Sequence, residues 1–212
     1  MVTQSDFDYA RAHPKTRKEF VRAVEREYAS PYIAMMRYSE KDQKKKAANS
    51  EEGKITLMQC QTGLMGTVVQ KWFVAYRPRS IVTVFPNVFD VVQSLETFML
   101  CIDHEDRHAE DFYKGTADIG CDDVFNTVNE TDRLYMKMMV DGKPITIIAA
   151  LHKWHADWLD FNAYSRMIAN PKGRNVPPEY MESCRERLAH YSKRLEHHRA
   201  MFSGNPPFGE SR

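Results

Sequence analysis

A chain of 212 residues with 42% hydrophobic side chains is long enough to bury a sizeable core, and one domain is the simplest count. Its 30 basic and 29 acidic residues leave a net charge of +1, so no global field draws it to nucleic acid or to an anionic membrane. Cys60, Cys101, Cys121 and Cys184 form no CxxC pair, which removes a cysteine-only zinc site and a thioredoxin-like motif.

No stretch approaches an apolar membrane span, and the first residues lack the apolar centre of a signal peptide, so the expected location is the cytoplasm. Residues 14–37 carry Phe20, Val21, Val24 and Tyr28, then Ile33 and Met36, at helical spacing. A break at Ser30-Pro31 would open a second helix. Residues 1–50 are thus expected as N-terminal helices, and the run at Lys44-Lys45-Lys46 as a linker or a solvated helix end. Three β-like runs follow at residues 54–60, 65–76 and 80–85, rich in Val, Ile, Phe and Thr. They predict a small antiparallel sheet over residues 54–86.

Pro86-Asn87 introduces a long helix over residues 87–115, ended by Gly115. At about 100° per residue, Val88, Val91, Val92, Leu95, Met99, Ile102, Ala109 and Tyr113 form one apolar stripe, with His104, His108 and Asp111 on the opposite side. The same helix contains His104-Glu105-Asp106-Arg107-His108, an HExxH. Residues four apart on a helix sit one above the other, so both imidazoles can grip one divalent ion while Glu105 reaches a water beside it. A catalytic zinc takes three protein ligands, so one more must come from elsewhere in the chain.

Residues 116–132 are acidic and turn-rich. Residues 134–150 read in two ways: Met and Leu dominate the first half and predict helices, whereas Asp141-Gly142 would serve a hairpin. Residues 145–169 form a second long helix, apolar nearly all round and therefore central, which Asn170-Pro171-Lys172-Gly173 terminates. A last helix over residues 178–202 carries Met181, Cys184, Leu188, Tyr191 and Leu195 as an a/d seam. The expected fold class is α+β and mainly helical, with a helical subdomain over residues 116–203 and a tail over residues 204–212.

A small sheet followed by a helix bearing HExxH and then further helices resembles the zincin metallopeptidases, over about residues 54–170. The resemblance implies zinc held by His104 and His108, Glu105 as general base, and a peptide or protein substrate. Gly115-Thr116-Ala117-Asp118 is similar to the GTxD segment of aspzincins, which implies Asp118 as third ligand, although Cys121-Asp122 stands where aspzincins continue with Tyr-Gly. Gluzincins place that ligand on the next long helix, where this chain has Asp160. Asp111 and His155 are further candidates.

Tyr164, near Asp160, would donate a hydrogen bond to a developing oxyanion, as tyrosines do in several zincins. Asp106 and Arg107 depart from the family, which fills those positions with uncharged residues. Charge there requires an exposed helix or an internal ion pair, and it motivates the alternative of a non-catalytic helical protein with a structural or partner-binding role. Neither reading needs nucleic acid or a membrane.

Overall fold

Thr3 starts the first helix with a reciprocal cap, its hydroxyl accepting the Asp6 amide while the Asp6 carboxylate accepts the Thr3 amide. The computed structural model describes residues 1–40, 58–62, 79–114, 137–140 and 143–204. Helix α1, Gln4–Ala12, precedes the region where the sequence pattern first reads as helical. It buries Phe7 and Ala10 and so has too short an apolar stripe to show as periodicity. A 3-10 turn over Pro14–Thr16 leads into α2, Arg17–Glu27, which buries Phe20, Val21 and Val24.

Residues 33–38 correct the sequence reading: they form a strand, β1 (Ile33–Tyr38), rather than a second helix. β1 runs parallel to β3 (Ser80–Val84), and its register slips between Ile33 and Met35. Such a bulge lets Ile33 and Met36 both be buried at a spacing of three, so a bulged strand imitates helical periodicity. β2, Met58–Thr62, pairs antiparallel along the other edge of β3, giving the order β1-β3-β2. The sheet is therefore mixed rather than antiparallel throughout: β2 intervenes in the chain, and β3 returns between the two earlier strands. The run at residues 65–76 and the segment at residues 116–132 lie outside the described residues.

The helix expected over residues 87–115 is interrupted. A short turn, α3 (Val88–Val91), ends where Val92 becomes extended with ψ 131°, and α4 runs over Leu95–Lys114. Val91, placed on the apolar stripe by spacing, is 51% exposed because the break rotates it out of line. A second correction concerns residues 137–146, where β4 (Lys137–Val140) and β5 (Lys143–Thr146) pair as an antiparallel hairpin in place of the expected helices. Val140 pairs with Lys143, so cross-strand pairing outweighs the helix propensity of Met in this segment. α5, Ile147–Ala169, and α6, Pro178–Gly204, follow closely the ranges read from the sequence. Among the described residues no helix is long and apolar enough to cross a membrane.

The molecule is α+β and mainly helical, and α4 divides its packing. On one side Phe98, Ile102 and Ala109 of α4 enter a core with α1, α2, α3, β1 and β3. Phe7, Phe20, Phe89 and Phe98 meet ring to ring there, Phe98 lying 5.5 Å from Phe7 and 5.3 Å from Phe20. On the other side α4 packs on α5, which packs along α6. The buried residues of that layer include Trp154, Leu159, Ala163 and Met167 of α5 with Cys184, Tyr191 and Leu195 of α6.

Candidate metal centre

Ser94 opens α4 by accepting the Thr97 amide on its hydroxyl at 3.1 Å. Layers on both sides of α4 put the HExxH motif inside the molecule: His104, Glu105 and His108 are each 9% exposed and Asp106 is 4% exposed. The charges at Asp106 and Arg107 are thus internal. The Asp106 carboxylate accepts from the Ser30 hydroxyl and pairs with Lys172, while Arg107 donates to the Asn170 carbonyl at 2.9 Å. Asp103 is held likewise, by Arg174 and by the Tyr28 hydroxyl at 2.7 Å.

Three donor atoms converge from two helices. His104 Nε2 and His108 Nε2 are 3.1 Å apart, and each lies 3.4 Å from Asp160 Oδ1 on α5. Zinc bonds of about 2.0–2.1 Å at tetrahedral angles put neighbouring ligand atoms about 3.3 Å apart. The spacing is that of one triangular face of such a tetrahedron, so the donor set fits a divalent ion with a fourth position left over. Among the described residues these three form the one group of His, Cys, Asp or Glu side chains placed to hold a metal.

The electrostatics suit a cation. Burial works against the Asp160 charge, but hydrogen bonds from His104 and His108 outweigh it and hold the carboxyl well below the usual carboxylate range. Burial likewise opposes a proton on His108; the hydrogen bond to Asp160 and the charges of Glu105, Asp160 and Asp111 outweigh it and raise its pKa. Three carboxylates thus act on one imidazole, and positive charge is stabilised there. Both His Nδ1 atoms are buried with no hydrogen-bond partner among the described residues, so on the side away from Asp160 packing alone orients the rings. The Tyr164 ring lies 4.4 Å from that of His104 and stacks on Tyr191 at 6.0 Å.

The other residues read from the sequence fare differently. Asp111 accepts from Arg166 at 2.6 Å and Asn162 at 2.9 Å, contacts that fasten α5 to α4, and it is not one of the converging groups. His155 is not one of the converging groups, and Asp118 lies outside the described residues. Glu105 is near enough for its charge to act on both His108 and Cys101. Burial, then that charge, pushes the Cys101 thiol up to about 12, so it stays protonated and supplies no thiolate. Burial and the Asp160 charge also push the Tyr164 hydroxyl pKa up, which keeps it a hydrogen-bond donor.

Sequence reasoning missed Tyr191 of α6, which is buried and stacks on Tyr164, and whose pKa is raised by burial first and by the Asp160 charge next. The a/d spacing of α6 marks Tyr191 as a packing residue and carries no signal for where its hydroxyl goes. Comparison with protein-family models, with curated proteins and with solved structures finds no match, so geometry alone supports a functional reading.

Proposed function

We propose that the chain is a zinc-dependent hydrolase that cleaves peptide bonds. The observation that carries this reading is the triangle of His104 Nε2, His108 Nε2 and Asp160 Oδ1, with sides of 3.1, 3.4 and 3.4 Å. Zinc held by these atoms would acidify a water and polarise a carbonyl oxygen. Glu105, next to His104 on α4, takes the proton from the attacking water and delivers it to the departing amine, so water and a peptide give a carboxylate and an amine. Tyr164 donates a hydrogen bond from its hydroxyl to the oxygen that gains charge during the attack.

A second reading is favoured by the burial of all three motif residues, each 9% exposed. On that reading the same residues form a closed metal clasp that ties α4 to α5 in a non-catalytic protein. One experiment separates the two. Purified chain, loaded with zinc and assayed against a denatured, dye-labelled protein, is compared with Glu105→Gln. A hydrolase keeps one equivalent of zinc in the variant and loses about a hundredfold or more in rate. A clasp keeps zinc in both forms and hydrolyses in neither. Protein that takes up no zinc at neutral pH sinks both.

A further inference from the structure

The third donor of the triangle sits on a different helix from the two imidazoles, and it is an aspartate, one methylene shorter than a glutamate. A short ligand tolerates little error in the distance between helices. Whatever sets α5 against α4 therefore sets the triangle.

Arg166 makes the contacts that do this. It follows Asp160 by six residues on α5, about 9 Å along the helix, and its guanidinium reaches three acceptors on α4. Nη1 donates to Glu110 Oε2 at 2.9 Å, and Nη2 donates to Asp111 Oδ2 at 2.6 Å and to the Arg107 carbonyl at 2.9 Å. Asn162 adds a fourth contact, its amide donating to the same Asp111 oxygen at 2.9 Å. Asp111 is 2% exposed, so its charge-assisted bond to Arg166 is shielded from water and holds its geometry more firmly than a surface pair. The Arg107 carbonyl belongs to the peptide that leads into His108, so Arg166 grips the α4 backbone beside the second imidazole.

The placement on α5 matters as much as the bonds. Asn162 and Arg166 lie about 40° apart around the helix, whereas Asp160 lies about 120° from Arg166 on another flank. A lock on one flank and a donor on the other fix the rotation of α5 as well as its distance from α4. We propose that Arg166, assisted by Asn162, is a positioning residue for the metal centre: its fork seats α5 on α4 so that the Asp160 carboxylate meets both imidazoles. This inference rests on the reading of His104, His108 and Asp160 as a metal site, and it goes beyond that reading in naming what holds the third donor in place.

The test uses the full chain stripped of metal, titrated with zinc against a chromogenic chelator and, separately, with cobalt to read the electronic spectrum of the centre. Arg166→Lys keeps the charge, but an ammonium cannot span the three acceptors of the planar fork. It is expected to raise the zinc Kd about tenfold and to shift the cobalt bands. Asn162→Ala, which removes one neutral donor, is expected to raise the Kd about threefold and to shift the bands in the same direction. Arg194→Lys is the control for a merely loosened α5: Arg194 pairs with Asp157 of α5 from α6, at 2.8 Å, and the variant is expected to bind both metals as wild type does. Should Arg166→Lys fail to fold, Asn162→Ala against Arg194→Lys decides the matter.

Wild-type zinc affinity and an unchanged cobalt spectrum in Arg166→Lys, or in Asn162→Ala where that variant decides, overturn the proposal and leave the metal site standing. So does an Arg194→Lys variant that loses as much zinc affinity as the variants facing α4. Wild-type protein that binds neither metal overturns the metal site and this proposal together.

Discussion

Asp106 of α4 pairs with Lys172 in the connection between α5 and α6, across the helix that carries both imidazoles. Lys172 adopts a left-handed conformation, φ 55°, uncommon outside glycine, and its amide donates to Asn170 Oδ1 at 3.1 Å. The same connection brings Arg174 to Asp103 on the same helix. Two acids of α4 thus anchor the connection while His104 and His108 meet Asp160. One helix serves both purposes because i, i+3 and i, i+4 neighbours share a face.

Removing the cation from this pair leaves a carboxylate that is 4% exposed without its counter-charge. Lys172→Met is expected to cost about 2 kcal/mol, below the range for fully buried pairs because the lysine side chain is partly exposed. Asp106→Asn is expected to cost less, since a lysine freed of its partner can turn to water. Urea unfolding of both variants measures the order. A smaller loss for Lys172→Met than for Asp106→Asn would show that the lysine, not the acid, is the group desolvated there.

Zinc binding to the folded chain alone stabilises it by about 2.7 kcal/mol when free zinc is at 100 times Kd. For a chain of this size that is about 5–10 °C in Tm. A chelator is expected to remove the whole shift, and Asp160→Asn to abolish it while melting near metal-free wild type. Asp118→Asn is the discriminating control. If the zinc-dependent shift survives Asp160→Asn and disappears in Asp118→Asn, the third ligand is the one implied by the GTxD resemblance and the triangle described above is not the metal site.

The legible parts of this molecule are those in which one residue's role depends on near neighbours in sequence. HExxH shows itself because a helix stacks residues four apart, and the α6 seam because packing repeats every three or four residues. Ile33 and Met36 mislead for the same reason, since a bulge in β1 gives a strand the spacing of a helix. The pairing of residues 137–140 with 143–146 is hidden because a window weighted by Met and Leu reads as helix. Asp160 enters the reading only through a resemblance, because spacing cannot say which helix packs on α4. The fates of Asp106 and Asp111 depend on partners 66 and 55 positions away, Lys172 and Arg166 respectively. No local pattern encodes those pairings.

Glu110 supplies a test of the clamp between α4 and α5. Burial pushes its pKa up, but the Lys114 hydrogen bond and the charges of Arg166, Lys114 and Arg107 outweigh it and hold the carboxyl below its ordinary 4.5. A depressed folded pKa contributes stability that is present above the unfolded value and lost as pH falls through the folded one. Glu110→Gln is therefore expected to be about 1 kcal/mol less stable than wild type at neutral pH, the group being partly exposed. The gap should narrow as pH falls below 4.5 and close once the folded-state carboxyl is protonated. Denaturant midpoints at several pH values check this, and a gap that widens in acid would reverse the assigned direction.

Phe98 joins the motif helix to the N-terminal core. It is fully buried, and its ring lies 5.5, 5.3 and 5.8 Å from those of Phe7, Phe20 and Phe89. Phe98→Ala is expected to cost about 3–5 kcal/mol through lost contacts and a cavity that rigid aromatic neighbours cannot fill. Phe98→Leu, nearer in volume, is expected to cost about 1.5 kcal/mol. The donor triangle spans α4 and α5 on the opposite side of the motif helix, so Phe98→Leu should lower the denaturant midpoint while its zinc Kd stays within about threefold of wild type. Paired unfolding and zinc titrations decide it: a Kd that weakens in step with stability would mean that the aromatic core, rather than the α4–α5 clamp, sets the geometry of the two imidazoles.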